Sequence, residues 1–311
     1  MIKKIFITAV LIIAVLSFVI SLLGGKNNMS ATKKITGAQD TIAIINVNGT
    51  MVSGGGTVTS VFSRAEGASS GVIMRELREA AEDKSVKAVL LNINSPGGSV
   101  TSAEEIAREI DKFKEKSKKP IVAALGDSGA SAAYYIAADC DKIYANNSTL
   151  TGSIGVYMGG VNLEEIYKKI GITPFLIKSG EHKDIMSSTR PMTAEEKIII
   201  QNMVNEMFEQ FLDRVSTGRK KPMTEVRALA DGRVYTGKQA LNLGLVDEIG
   251  NFYDAIDGTA QLAGIQGKPK LKEYGIAKDW ASLFMDAFTK SISATMKESL
   301  PQPGTMNWNK G

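Results

Sequence analysis

The hydrophobic pattern opens with 19 consecutive uncharged residues, Ile5 to Leu23 (IFITAVLIIAVLSFVISLL), preceded by Lys3 and Lys4. As a helix rising about 1.5 Å per residue this run is roughly 28 Å long, close to the hydrocarbon thickness of a bilayer. A cleaved leader has a shorter apolar core and a small-residue cleavage site. Here the run ends Leu-Leu-Gly-Gly-Lys instead. It therefore predicts one retained transmembrane helix within an anchor at residues 1–25, followed by a polar linker at 26–40. The lysines before it place the N-terminus in the cytoplasm and the remainder on the extracytoplasmic side. Lys26, Lys33 and Lys34 on the other flank pull against that orientation.

From residue 41 onward the period of the pattern alternates between two and about 3.6. Buried-strand runs occur at 41–47, 88–93, 121–125, 142–145 and 174–177, with a short one at 233–235. Helical spacing occupies 72–81, 102–113, 131–138, 163–170 and 194–215, with short helices at 225–230 and 237–243. The helix at 194 opens with Thr193-Ala194-Glu195-Glu196, a capping-box signature. Strands separated by helices predict an α/β fold of repeated β-α units around a largely parallel sheet. One domain over 41–265 accommodates this pattern, with a C-terminal extension at 266–311 that is loose from about 298. Residues 48–70, rich in Gly, Ser and Thr, follow neither period and read as a long functional or disordered loop.

Composition narrows the function. Of 311 residues 43% are hydrophobic, which is enough for a core and excludes general disorder. A net charge of +4 is too small and scattered for a nucleic-acid footprint. The single cysteine, Cys140, excludes an intrachain disulfide. The single histidine, His182, excludes any multi-histidine metal site. No cofactor is expected.

Three small-residue segments sit where strand and helix signals meet. Asn94-Ser95-Pro96-Gly97-Gly98-Ser99 follows a strand and precedes a helix, so its amides suit a developing oxyanion. It also reads as an ordinary turn. Gly126-Asp127-Ser128-Gly129-Ala130-Ser131-Ala132-Ala133 offers Ser131 among small neighbours that leave room for a substrate, with Ser128 competing on the same grounds. A serine at a helix start is otherwise an N-cap. The third segment, Leu150 to Val156, includes Ser153 and is followed by Lys178-Ser179-Gly180-Glu181-His182-Lys183-Asp184. A serine nucleophile needs a base, and both His182 and Lys183 qualify.

Taken together, NSPGG (94–98), ASAAYYIA (130–137), DKIYA (141–145), TLTGSIGV (149–156), KSGEHKDIMS (178–187) and ADGRVYTGKQALNLGLVDEIG (230–250) resemble the signal peptide peptidase A family in its short bacterial form. The likeness covers about residues 41–260 and keeps the family's order. It implies the Clp-protease/crotonase-like fold and a Ser/Lys dyad, with Ser131 as nucleophile and Lys183 as general base. Ser153 would orient the lysine, and Gly97 and Gly98 would form the oxyanion turn. It also implies a ring-like homo-oligomer whose neighbours complete each site. The implied substrates are membrane-associated peptides such as signal-peptide remnants. One departure stands out: Ala132-Ala133 replaces the glycine pair common after the nucleophile.

A lysine is neutral in only about one molecule in 2,500 at pH 7, so a lysine base must be desolvated until its pKa falls toward roughly 7–8. Asp184 beside the nucleophile would oppose this, and so it is expected to point elsewhere. Three rival readings remain: an acyl-CoA enzyme of crotonase type, a histidine-based hydrolase using His182, and an inactive peptidase-like membrane scaffold.

Overall fold

The computed structural model describes residues 40–54 and 67–274. The expected anchor, the linker up to residue 39 and the tail lie outside them. Among the described residues no helix is long and apolar enough to cross a membrane.

The chain runs β1 (Thr41–Asn48), β2 (Thr50–Val52), β3 (Gly67–Ser69), α1 (Ser70–Glu82), β4 (Val86–Ser95), α2 (Val100–Ser117), β5 (Ile121–Ala130) and α3 (Ala132–Ala137). There follow β6 (Lys142–Ala145), β7 (Leu150–Gly152), α4 (Glu164–Lys169), a 3-10 turn (Glu181–Asp184), α5 (Ala194–Arg219) and α6 (Met223–Leu229). The described part ends with β8 (Val234–Thr236), α7 (Gly237–Asn242), β9 (Glu248–Ile249), α8 (Phe252–Leu262) and β10 (Lys270–Glu273). The sheet order is β10-β1-β4-β5-β6-β9, with β7 added to β5 and β8 to β7. Every pairing is parallel except β7 with β8. This is the expected α/β architecture with a largely parallel sheet.

Burial on both sheet faces explains why β1 and β4 read as nearly unbroken apolar runs. Ala43, Ile45, Val89, Leu91, Ala123 and Leu125 face α1, α2 and α3. Ile42, Ile44, Leu90 and Val122 face α8. Ser99 caps α2, accepting the Ser102 N–H at 3.3 Å. Thr193 and Glu196 form the expected capping box on α5, a helix of 26 residues.

Two expectations differ. The unpatterned stretch at 48–70 supplies β2 and β3, which pair in parallel as a small separate sheet; residues 55–66 lie outside the described part. The apolar run 174–177 is not a strand. No strand pairs with it, and Phe175 and Ile177 are 90% and 93% exposed. Its β-pattern reflects apolar character without a sheet edge to join. Residues 270–273, within the C-terminal extension, add β10 alongside β1.

Tyr134, wholly buried in α3, donates a 2.8 Å hydrogen bond to the Leu245 carbonyl and ties this short helix to the segment before β9. Removing the donor strands a buried acceptor. Tyr134→Phe is expected to cost about 1–2 kcal/mol, read as a lower denaturant midpoint at unchanged m-value.

Candidate active site

The end of β5 is fixed before its chemistry is considered. β7 lies parallel to it, pairing Ser128 with Leu150, Gly129 with Thr151 and Ala130 with Gly152. The Thr151 hydroxyl donates to the Gly129 carbonyl at 2.7 Å, and the Ser131 N–H donates to the Gly152 carbonyl at 2.8 Å. The chain must then reverse from strand to helix in one residue. That residue is Ser131, at φ 55° and ψ −126°. This backbone conformation is costly for a side chain with a β-carbon, on the order of 1–3 kcal/mol, and such strain gathers at functional sites. Although Ser131 precedes α3, its hydroxyl does not cap the helix. The N-cap reading therefore fails.

Gly152 and Ser153 also have positive φ, at 74° and 50°. A β-carbon on Gly152 would stand 2.6 Å from the Tyr235 ring, so only glycine lets β7 turn there. The turn brings Ser153 to the cleft that Ser131 lines, a space of about 450 Å³ walled by Val204, Asn205 and Phe208 of α5 and by Asp231. Ser128, the competing serine, lies within β5 and lines neither this cleft nor the pocket beside it.

Gly97 packs directly on the elbow. A β-carbon there would lie 2.7 Å from Ser131 Cβ and 2.9 Å from the Ala132 nitrogen, at a φ of 101°. Its N–H donates to Ser95 Oγ at 3.1 Å, and its carbonyl accepts the Met51 N–H at 2.9 Å. Both polar groups of Gly97 are therefore engaged. Gly98 is bracketed by the Met51 bridge, yet its own N–H has no acceptor among the described residues. The Ala132 N–H, at the first position of α3, is likewise without an acceptor there. Gly98, Ser131 and Ala132 together line a small pocket closed by Val100, Tyr135 and Phe211. The two free amides beside an uncapped hydroxyl can receive negative charge on a carbonyl oxygen. Neither Ala132 nor Ala133 has positive φ. The alanine pair is therefore accommodated without strain, and the Ala132 methyl narrows the pocket.

Lys183 is placed differently. It lies on the 3-10 turn, exposed, and lines neither space around Ser131. Its side chain makes no hydrogen bond or ion pair among the described residues, and its backbone N–H donates to the Gly180 carbonyl at 3.2 Å. His182 lies with Nε2 3.8 Å from Glu195 and has a buried Nδ1 with no hydrogen-bond partner among the described residues. Asp184 lines neither space around Ser131. Its carboxylate accepts hydrogen bonds from Arg190 (2.8 Å) and Lys178 (2.7 Å), which hold it well below the usual carboxylate range. Arg190, then the Thr193 N–H, lowers Glu196 to about 2. Both carboxyl groups have depressed pKa values. Their stabilisation is therefore present above about pH 4 and is lost only as pH falls toward 2. This network went unread in the sequence, where Glu196 showed only as a capping residue.

The family model described as Peptidase family S49 matches residues 113–266, and that described as NfeD1b, N-terminal domain, matches 60–165. A protein of Synechocystis provisionally named a protease is 43% identical over 187 residues, 60% of this chain and 67% of the relative. One of Enterococcus faecium, provisionally named signal peptide peptidase SppA, is 40% identical over 234 residues, 75% of this chain and 67% of the relative. Protease 4 of Haemophilus influenzae is 34% identical over 258 residues, 83% of this chain and 40% of the relative.

The strain at Ser131 has a direct consequence. Ser131→Gly is expected to raise the unfolding free energy by about 1 kcal/mol, because glycine adopts this conformation readily. Ser131→Ala keeps the β-carbon and leaves stability nearly unchanged. Denaturant titration of the two variants alongside wild type checks this.

Proposed function

The chain belongs to peptidase family S49, the signal peptide peptidase A family, and from that premise we propose that it is a serine endopeptidase with a Ser131/Lys183 dyad. The observation that carries this reading is the elbow at Ser131: a strained, uncapped serine flanked by the unengaged amides of Gly98 and Ala132. The fold is of the Clp-protease/crotonase-like type, and the apolar run within residues 1–25 anchors the domain on the extracytoplasmic side of the membrane.

In this reading Ser131 Oγ attacks the scissile carbonyl while neutral Lys183 takes its proton. The carbonyl oxygen, now negative, is received by the Gly98 N–H and the Ala132 N–H. Gly97 shapes the turn rather than donating, since its amide is held by Ser95. Collapse of the tetrahedral intermediate breaks the C–N bond, and protonated Lys183 returns the proton to the leaving amine. Water then releases the acyl group by the same route. Ser153, in the same cleft, orients the lysine.

Lys183 comes from a neighbouring copy in a ring-like homo-oligomer. Three features support this. The lysine is exposed, and its side chain has no partner among the described residues. It lies outside the residues lining its own cleft. It also sits on an arm, residues 157–183, that exposes Tyr157, Val161, Ile170, Phe175 and Ile177 at 61–93%. An apolar surface of that kind calls for a partner. Docked into a neighbour's cleft beside Val204 and Phe208, the lysine would lose water, as a base of this type requires. Substrates are apolar membrane-associated peptides, including signal-peptide remnants. The small pocket closed by Ala132, Val100 and Phe211 suits a small apolar side chain on the acyl side of the cut.

The test uses the full chain in detergent, with wild type, Ser131→Ala, Lys183→Ala and His182→Ala compared on a peptide library. Loss of about 10³-fold or more in the first two variants is expected, with His182→Ala within a few-fold of wild type. Folded wild type that neither cleaves peptides nor reacts with a fluorophosphonate would instead identify an inactive scaffold.

A further inference from the structure

The arm that carries Lys183 buries little against its own chain. From residue 171 to 181 every residue is exposed. The approach to the lysine turn is therefore unpacked, while His182 and residues 184–190 are half-buried and carry a dense set of ion pairs. Isolated surface pairs contribute little. The arrangement here is of another kind. The Arg190 guanidinium bridges two carboxylates, each through two hydrogen bonds: Asp184 at 2.8 and 2.8 Å, and Glu196 at 2.6 and 2.8 Å. The Glu196 side chain is only 1% exposed and Asp184 12%. Charge-assisted, bidentate pairs of this type are both strong and directional.

The network closes around the turn from both sides. Lys178 Nζ donates to Asp184 at 2.7 Å and to the Glu181 carbonyl at 2.7 Å. Glu181 and Asp184 are the first and last residues of the 3-10 turn, and Lys183 lies between them. At its far end Glu196 also accepts the Thr193 N–H at 2.9 Å, so the network is rooted in the first turn of α5. The middle of that same helix supplies Val204, Asn205 and Phe208 to the cleft around Ser131. One rigid element therefore holds the lysine turn at its start and walls the serine cleft along its length.

We propose that Asp184, Arg190 and Glu196 form a positioning clamp that sets the direction and reach of Lys183 for proton transfer. The clamp rests on the Ser131/Lys183 reading and adds to it. None of the three touches the reacting atoms, so they act through the lysine. Their job is to hold a half-buried turn at the end of an unpacked arm in one geometry while it enters the site. A misplaced base costs turnover rather than substrate binding, since about 1 Å can cost 10²-fold. A lysine that no longer seats in the desolvated cleft also keeps a higher pKa, which moves activity toward alkaline pH.

The experiment compares full-chain wild type, Asp184→Asn, Arg190→Lys, Arg190→Gln and Lys183→Ala in detergent, on one apolar fluorogenic peptide. Thermal unfolding and oligomeric state are recorded for each. The expected result for Asp184→Asn and Arg190→Lys is a kcat lowered about 10- to 100-fold with KM within about threefold, and a kcat midpoint moved up by about one pH unit or more. Arg190→Lys fails to rescue because an ammonium cannot bridge two carboxylates bidentately. Should Arg190→Gln unfold, the other two variants carry the test. Wild-type kcat in Arg190→Lys, a KM effect alone, or a fall in kcat matching only lost folded protein with an unmoved pH midpoint would each overturn the clamp. Wild-type turnover in Lys183→Ala would remove the dyad itself, and the clamp with it. That outcome is recognised in the same assay.

Discussion

The strand-to-helix reversal at Ser131 is the constraint on which the rest of the site depends. β5 ends against β7, which pins its last residues by ladder bonds and by the Thr151 hydroxyl. α3 begins one residue later, wholly buried except at its rim and tied down by Tyr134. Between these two fixed elements only one residue is free to turn, and it does so at a φ that a serine adopts at a cost. The result is a hydroxyl lifted out of every local hydrogen bond. Gly97 must then lack a β-carbon to fit over the elbow, and Gly98 is left with a free amide beside it. The uncapped hydroxyl and the proposed oxyanion donors beside it are therefore consequences of one piece of backbone geometry.

The proposed base is governed by the opposite physics. Where the Ser131 backbone is held between β7, α3 and Gly97, Lys183 follows an arm that is exposed from 171 to 181 and carries several exposed apolar side chains. A carboxylate–guanidinium network ties the end of that segment to α5, and in the proposed assembly a second copy would supply its burial. Under the proposed dyad this division leaves the lysine exposed in an isolated chain and would desolvate it only on assembly. On this account proteolysis is confined to the assembled state.

Much of this was legible along the chain. Period switching between strand and helix placed β1, β4, β5, β6 and the long α5, because these elements bury continuous faces and their patterns are set by the core. The segments around Gly97, Ser131 and Ser153 stood out as small-residue junctions, and the structure puts all three at one place. Failures came where tertiary context overrides local pattern. Residues 174–177 look like a strand because Phe175, Leu176 and Ile177 are apolar, but no strand among the described residues pairs with them. That the Gly97 amide is engaged while that of Gly98 is not could not be read from the sequence, because it depends on the Ser95 hydroxyl folding back over a turn two residues long. The Asp184–Arg190–Glu196 network was invisible for a similar reason. Its three members lie six residues apart in steps that match no helix or strand period, and only the folded loop brings them together.

The account stands or falls on where the two halves of the dyad come from, and subunit mixing tests that most directly. Full-length Ser131→Ala and Lys183→Ala proteins, each inactive alone, would be dissociated, combined in equal amounts and allowed to reassemble. If each site takes its serine from one copy and its lysine from the next, activity returns to about a quarter of wild type, the fraction of random neighbour pairs that hold both groups. A reassembled mixture as inactive as its components would contradict the shared site.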